Sequence, residues 1–454
     1  MLQPIRLAFL FSLLCLHTAA QPVAEKLRTA FQKFENDPQL QAAIASISVL
    51  DKNGKTVFQK NAAIGLAPAS TQKVVTAATA YALLGKAFRY KTEFGFVKAG
   101  NGASSLYIRG SGDPTLGSPR WSHTAEKAVL NRITGAMKGT TPGNVVFIET
   151  AGWEGERIPN GWIWEDIGNY YGAGSAVLNW RENQYDVYLR SGATVGSPVT
   201  VIGTQPELYQ YKLLSKAAAG AKGTGDKAYI FFQGNEGVIR GTIPAGEARF
   251  TISGALPNPE RQFAATLLKG LQHAPAFPQV EVVESEALQN VQWFHTEVSP
   301  PLDSLIYWLN RKSINLYGEA LLRTIAFLQR GIGDAGKGMD LLKSFWKEQG
   351  IQVPALNLVD GSGLSPLNRI TTQAQAAILH YARSQSWFPG LYLSLPEYNG
   401  MKLKSGTINN TKGFAGYHTN KAGAVYTISF LVNNYNGSSA ELVQKMYAVL
   451  DVLK

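Results

Sequence analysis

Pro68-Ala-Ser-Thr-Gln-Lys73 is the stretch from which the fold and the chemistry of this chain can be predicted. The residues that follow it predict a helix with one apolar face, which Gly85 ends. Residues at i and i+3 share a helix face, so Lys73 can reach the hydroxyl of Ser70. At a helix start the first N–H groups lack partners, and the helix dipole favours negative charge. We therefore predict Ser70 as a nucleophile and Lys73 as the general base that takes its proton.

The position of this serine matters more than the bare Ser-x-x-Lys pattern. Ser344-Phe-Trp-Lys347 repeats the pattern, but it lies in the middle of a predicted helix, where a serine hydroxyl bonds back to its own turn. The structural alternative for Ser70 is a simple helix N-cap.

The role of Lys73 as a base depends on its charge. A lysine accepts a proton only when it is neutral, and desolvation or a neighbouring positive charge, here Lys404, lowers a lysine pKa.

A second motif, Ser313-Ile-Asn315, stands immediately before another predicted helix. Ser313 can relay a proton between Lys73 and a leaving amine, and the amide of Asn315 can hold a substrate carbonyl. Serine and asparagine are also favoured N-caps, which is the structural alternative for both residues.

A third motif, Lys404-Ser-Gly-Thr407, falls on a predicted strand. Gly406 lets a ligand backbone come close, so that a substrate can pair with this strand as an added β-strand. Lys404 would attract a substrate carboxylate, and Ser405 and Thr407 would hydrogen-bond it. The backbone N–H groups of Ser70 and Thr407 would form an oxyanion hole. The alternative is an edge lysine that discourages aggregation.

The chain has 454 residues, of which 45% are hydrophobic and 17% charged, a globular composition.

The N-terminal residues predict the cellular compartment of the protein. Arg6, the apolar run Leu7–Leu16 and the small residues before Gln21 predict a signal peptide over residues 1–20. We expect a periplasmic or secreted protein. Cys15, the single cysteine, would leave with that peptide, which excludes disulfides and thiolate metal sites from the mature chain.

The formal net charge of +11 favours an anionic envelope surface as a partner, with simple solubility as the alternative. Zinc-finger spacing and concentrated Lys/Arg runs are missing from the sequence, so we predict no nucleic-acid partner. The histidines include no pair at zinc-ligand spacing, and we predict neither a metal nor a cofactor.

The long gap between Ser70 and Ser313 predicts an insertion within the catalytic domain. Residues 44–60 have the pattern of a β-hairpin, and helical patterns return after about residue 260. Between them lie short β-rich segments and turns, with residues 216–227 predicted as an exposed loop and a smaller module near 190–255. The pattern indicates an α/β domain made of both chain ends and interrupted by a mostly β insertion.

Together the three motifs resemble those of the D-alanyl-D-alanine carboxypeptidase/endopeptidase family, the three-domain class C type of low-molecular-mass penicillin-binding proteins. The resemblance runs through nearly the whole mature chain. Four further segments carry it: Leu316-Tyr-Gly-Glu319, Asp360-Gly-Ser-Gly-Leu-Ser365, Gly110-Ser-Gly-Asp-Pro-Thr-Leu116 and Trp162-Ile-Trp-Glu-Asp166.

This resemblance implies an α/β (α+β) transpeptidase-like domain formed by both chain ends, with two mostly β inserted domains. The expected boundaries are 21–86 and 275–454 for the catalytic domain, 87–190 and 256–274 for the inserted domain, and 191–255 for a nested small β domain. It also implies a serine-type enzyme that removes terminal D-alanine from peptidoglycan stem peptides, cleaves D-alanyl cross-links, and is acylated by penicillin and other β-lactams.

Asp166 matches the family aspartate that reaches toward the amino-bearing side chain of the substrate; an ordinary surface carboxylate is the alternative. Two positions depart from the family pattern. Ser405 stands where threonine is frequent, and Pro366 stands where many members have an arginine that Pro366 cannot replace. The second departure concerns the family's preference for a substrate with a diamino-acid side chain, because proline cannot pair with a substrate carboxylate.

The sequence leaves two alternative functions open. A β-lactamase-like hydrolase would share the motifs, although the large insertion argues against it, and it would turn penicillin over rapidly. A non-catalytic peptidoglycan-binding protein would keep wall binding and release no D-alanine.

Overall fold

A computed structural model of the protein describes residues 20–98 and 104–454. The predicted signal peptide, with Arg6 and Cys15, lies outside the described residues except for Ala20. Within the described ranges no helix is long and apolar enough to cross a membrane.

The helices of the described residues are numbered in chain order. They are α1 Ala20–Glu35, α2 Lys73–Leu84, α3 Glu126–Ala136, α4 Trp164–Ile167, α5 Pro259–Leu271, α6 Leu302–Arg311, α7 Asn315–Arg330, α8 Ala335–Glu348, α9 Thr372–Ala382, α10 Phe388–Ser394 and α11 Ser439–Leu450.

The strands are numbered in the same way. They are β1 Ile44–Leu50, β2 Thr56–Lys60, β3 Lys91–Lys98, β4 Ser104–Arg109, β5 Val145–Glu149, β6 Gln184–Ser191, β7 Val199–Gln205, β8 Lys212–Ser215, β9 Ala218–Gly220, β10 Tyr229–Gln233, β11 Glu236–Arg240, β12 Thr242–Pro244, β13 Phe250–Ala255, β14 Glu281–Ser285, β15 Gln292–Val298, β16 Leu356–Asn357, β17 Arg369–Ile370, β18 Glu397–Tyr398, β19 Met401–Ile408, β20 Thr411–Thr419 and β21 Val425–Asn433.

The chain divides into two compact units, and the first takes Met1–Ala82, Ile306–Ser313 and Leu342–Lys454. Its centre is a six-stranded antiparallel sheet in the order β18-β19-β20-β21-β1-β2. The predicted hairpin is present as β1 and β2, and β1 pairs along its whole length with β21 near the other end of the chain. This pairing joins the two chain ends in one sheet.

Both faces of this sheet are covered. On one face, aromatic side chains of α1 pack against the sheet, with the Phe34 and Phe430 ring centroids 5.3 Å apart. On the other face α9 packs on β1 and β21, where its Gln375 accepts a hydrogen bond from Ser429 at 2.7 Å. Because both faces are covered, β1 and β21 are buried along most of their length.

The second unit takes Leu83–Leu305 and Ile314–Leu341. A five-stranded mixed sheet in the order β14-β5-β4-β3-β15 packs against α3 and α5 around Phe94, Ile133 and Phe263. Three smaller sheets, β13-β6-β7, β10-β11-β8 and β12-β9, enclose a separate core that includes Val187 and Ile239.

The segment 216–227 differs in part from its prediction as an exposed loop. Residues Ala218–Gly220 form β9, which pairs in parallel with β12, and Ala219 is buried. Alanine and glycine carry little strand signal, and here the partner strand supplies the hydrogen bonds that stabilise the extended backbone. The three-domain boundaries given above stay a prediction.

Candidate active site

The predicted nucleophile lies in the first unit, on a tight turn. Ala69–Gln72 form a 3₁₀ turn that leads directly into α2, so Ser70 precedes the α-helix and Lys73 is its first residue. Ala69 has a left-handed backbone with φ 46°, which is costly for a residue with a Cβ and is often found at functional sites. The side chain of Thr71 donates to the carbonyl of Pro68 at 2.7 Å and ties the turn together.

Lys73 is fully buried beside the predicted nucleophile. Its Nζ donates to Ser70 Oγ at 3.0 Å and to the backbone carbonyl of Ser362 at 2.7 Å. The second contact orients the amine, so that the pair is set in hydrogen-bonding geometry without a substrate.

The loop Asp360–Ser365, which resembles a family loop, supplies that carbonyl. The buried carboxylate of Asp360 accepts backbone hydrogen bonds from Gly363 and Ser365, both at 2.7 Å, and one from the Asn368 amide at 3.0 Å. These bonds fold the loop around one side chain and hold the Ser362 carbonyl toward Lys73. The sequence motif alone did not assign this positioning role to Ser362.

Lys404 and Ser313 form a second lysine–serine pair in the same unit. Lys404 Nζ donates to Ser313 Oγ at 3.0 Å and to the backbone carbonyl of Ser405, the next residue of the chain, at 2.8 Å. Its side chain is 2% exposed, and this burial, together with the positive charges of Lys73 and Lys412, holds the pKa of Lys404 well below its usual value. The hydrogen bond from Lys404 orients the hydroxyl of Ser313, the residue predicted to relay a proton.

Strand β19 runs against the turn Ala69–Gln72, which we call the nucleophile turn because it carries the predicted nucleophile Ser70. A Cβ atom at Gly406 would lie 2.6 Å from Pro68 O, 2.7 Å from Thr71 N and 2.9 Å from Ser70 N. Only a glycine allows this approach of two backbones. In the sheet, β18 pairs only with Met401 and Lys402, so the third motif lies on an edge strand, where an extended peptide can add.

The hydroxyls of the third motif differ in their surroundings. Ser405 is half-buried and donates to the hydroxyl of Tyr398 at 3.1 Å. Thr407 is exposed, and its Oγ1 accepts a hydrogen bond from Lys412 Nζ at 2.8 Å. Lys412 was not among the residues assigned from the sequence.

The remaining two predicted residues lie in the second unit, where Tyr171 links them. Asn315 begins α7, and its Nδ2 donates to the backbone carbonyl of Tyr171 at 2.7 Å. The Tyr171 hydroxyl hydrogen-bonds the half-buried carboxylate of Asp166 in α4. Burial raises the pKa of Asp166, and burial followed by the Asp166 charge raises the pKa of Tyr171 to about 12.

Helix α7 is held firmly within that unit. The Tyr317 hydroxyl donates to the buried carboxylate of Glu182 at 2.7 Å, and Arg323 donates to the backbone carbonyls of Glu154 and Glu156 at 2.8 and 3.0 Å. The inserted segment therefore positions the helix that Asn315 begins. Among residues 20–98 and 104–454 no group of three or more His, Cys, Asp or Glu side chains could hold a metal ion.

Known proteins resemble this chain in sequence over most of its length. Residues 27–452 match the D-Ala-D-Ala carboxypeptidase 3 (S13) family. The chain is 24% identical over 419 residues to D-alanyl-D-alanine carboxypeptidase DacB of Haemophilus influenzae, covering 87% of this chain and 84% of the relative. It is 25% identical over 463 residues to a D-alanyl-D-alanine carboxypeptidase of an Actinomadura species, covering 93% and 84%.

Solved structures show the shared fold. The crystal structure of penicillin binding protein 4 (dacB) from Haemophilus influenzae matches with a TM-score of 0.76 at 20% identity, covering 90% of this chain and 96% of that one. The same protein complexed with a β-lactam matches with a TM-score of 0.71 at 18% identity, covering 94% and 99%. These matches confirm the predicted fold class.

Proposed function

The chain belongs to the D-Ala-D-Ala carboxypeptidase 3 (S13) family, and from that membership we propose how its own residues carry out the reaction. It is a serine-type D-Ala-D-Ala carboxypeptidase of the penicillin-binding class. We assign Ser70 as the nucleophile that forms the acyl-enzyme. The observation that carries this assignment is the buried Lys73, whose amine is held between Ser70 Oγ and Ser362 O.

In acylation, Ser70 Oγ attacks the carbonyl carbon of the penultimate D-alanine while its proton passes to Lys73 Nζ. Lys73 Nζ is buried and lies 3.0 Å from Ser70 Oγ, so the proton can move directly between these two atoms. The backbone N–H groups of Ser70 and Thr407 would stabilise the oxyanion, and the closeness of Gly406 to the nucleophile turn supports that pairing.

The terminal D-alanine leaves as an amine and needs a proton. We assign this delivery to Ser313, which would pass on to the leaving amine the proton that Lys73 took from Ser70; the Ser313 hydroxyl accepts a hydrogen bond from Lys404, which orients it. Water then cleaves the Ser70 ester and releases the shortened stem peptide. A β-lactam acylates the same hydroxyl.

We assign substrate binding to the other predicted residues. The Asn315 amide would hold a substrate carbonyl, and Asp166 would receive the amine of a diamino-acid side chain. Their common link to Tyr171 supports a shared role in orienting the stem peptide. The same chemistry acts on a D-alanyl cross-link, so D,D-endopeptidase activity belongs to this proposal.

We also propose the cellular setting and the domain limits. Residues 1–20 would be a cleaved signal peptide, and the mature enzyme would work in the periplasm or outside the cell. The formal charge of +11, which becomes +10 (11 − 1) when Arg6 is removed, would favour contact with an anionic envelope surface. The catalytic domain would take 21–86 and 275–454, with 87–190 and 256–274 as one insertion and 191–255 nested within it.

Defined muropeptides test the central claim. The mature protein is incubated with a pentapeptide and with a cross-linked dimer, and the products are identified by mass spectrometry beside those of Ser70→Ala. We expect release of D-alanine and a penicillin adduct on Ser70, both lost in the variant. Cleavage that persists in Ser70→Ala would overturn the assignment. Rapid penicillin turnover would favour a β-lactamase, and wall binding without any cleavage would favour a binding protein.

A further inference from the structure

We propose that Lys412 is a specificity-determining residue, which together with Thr407 binds the C-terminal carboxylate of the peptide substrate. This inference deepens the proposed function and rests on it. Lys412 lies outside the three motifs, on β20, and faces the last residue of the third motif across the sheet.

The register of the sheet places the two side chains together. Thr407 and Lys412 are direct cross-strand partners of β19 and β20, and directly opposed side chains contact each other. Lys412 Nζ donates to Thr407 Oγ1 at 2.8 Å, and the same ammonium lies 5.6 Å from the centroid of the Phe414 ring. Both contacts hold the cation at the exposed end of the edge strand.

The charge of Lys412 is not neutralised by a neighbouring acid within the described residues. Its two contacts are with a hydroxyl and an aromatic ring, whereas Lys402, on the adjacent strand, lies 3.9 Å from the carboxylate of Glu397. Lys412 is partly buried, and that burial lowers its pKa below the usual lysine value. A partly desolvated cation gains more from an incoming carboxylate than a fully solvated one.

Lys404 is less suited to this task. It is buried, its ammonium already donates to Ser313 and to Ser405 O, and its pKa is held well below normal. The carboxylate needs a positive charge that is accessible from the edge of the sheet. Thr407 supplies a hydroxyl there and Lys412 supplies the charge, so one lysine serves proton transfer and the other serves recognition.

The ligand class follows from this arrangement. A peptide that adds to β19 carries its terminal carboxylate beside Thr407, where a charge-assisted hydrogen bond from Lys412 can form. A peptide that ends in a carboxamide offers no charge at this position. The structure therefore predicts discrimination between acid and amide termini that depends on the Lys412 ammonium.

The test compares two peptides that differ only at the C-terminus, N-acylated L-Lys-D-Ala-D-Ala as the free acid and as the carboxamide. The measured quantity is the ratio of their kcat/KM values for wild type, Lys412→Gln and Lys412→Arg. We expect Lys412→Gln to lower the acid-to-amide ratio about 10- to 100-fold, the loss typical of a hydrogen bond to a charged group. Lys412→Arg should restore most of the ratio, because it keeps the charge.

Two controls separate the possible outcomes. Lys402→Ala removes a neighbouring lysine outside the site and should leave the ratio within about twofold. Calorimetric binding of both peptides to Ser70→Ala, with and without Lys412→Gln, gives the same ratio without turnover, so it tests Lys412 even if the proposed cleavage fails. If Lys412→Gln leaves the acid-to-amide ratio unchanged, including by an equal loss of activity toward both peptides, the proposal is overturned.

Discussion

Alanine at position 406 tests the closest structural approach in the site. The missing side chain of Gly406 allows β19 to lie against the nucleophile turn, and an added Cβ would come within 2.6 Å of Pro68 O and 2.9 Å of Ser70 N. All the crowded atoms belong to the backbone, so no flexible side chain can move aside. The strand and the turn must separate.

The size of the effect of Gly406→Ala on the acylation rate follows from these distances. To bring the closest contact from 2.6 Å to an ordinary 3.4 Å, the two backbones must move apart by 0.8 Å. Such a shift separates Ser70 from the N–H of Thr407, which together are proposed to form the oxyanion hole. A displacement of about 1 Å at a reacting group costs on the order of 10²-fold in rate. Overpacking of this kind also lowers stability by about 1–3 kcal/mol.

The assay is the second-order rate constant for acylation by penicillin, followed by intact-protein mass spectrometry, with thermal unfolding measured on the same samples. Gly406→Ala should acylate about 10²-fold more slowly and still unfold cooperatively. Gly270→Ala, at a position in α5 where a Cβ meets no atom within 4 Å, is the matched control and should acylate normally. If Gly406→Ala acylates within about twofold of wild type, the proposed oxyanion geometry is wrong.

Three further predictions concern single side chains. Lys73→Ala should slow penicillin acylation of Ser70 by about 10²- to 10⁴-fold in time-resolved mass spectrometry, and acylation at the normal rate would exclude Lys73 as the base. Burial raises the pKa of Asp166, so as the pH falls this carboxylate takes up its proton earlier than an ordinary aspartate. The preference for amine-bearing over acetylated stem peptides, measured as a kcat/KM ratio, should therefore weaken toward acidic pH and become flat in Asp166→Asn; a wild-type ratio independent of pH would contradict this role. Tyr317→Phe removes one donor from buried Glu182 and should lower the free energy of unfolding by about 1.5–3 kcal/mol in denaturant titrations, so an unchanged midpoint would show that this bond is not stabilising.

Many of the features that were predictable from the sequence are local ones. The spacing of Ser70 and Lys73 predicts their contact because the helical backbone repeats every few residues, and the alternation around residues 44–60 predicts the hairpin in the same way. One local difference is at Ser70 itself, which lies in a 3₁₀ turn ahead of α2, where Gly406 packs closely against the backbone.

Contacts between distant positions were decided only by the tertiary structure. Ser362 O reaches Lys73 across 289 positions, and Lys404 reaches Ser313 across 91, so no local period encodes either contact. The low pKa of Lys404 likewise depends on burial, which is a property of the packed chain. The sequence by itself determined which residue types are available and which neighbours share a turn or a strand. Packing decided that Ser313 meets Lys404, and which of the lysines keeps an accessible charge.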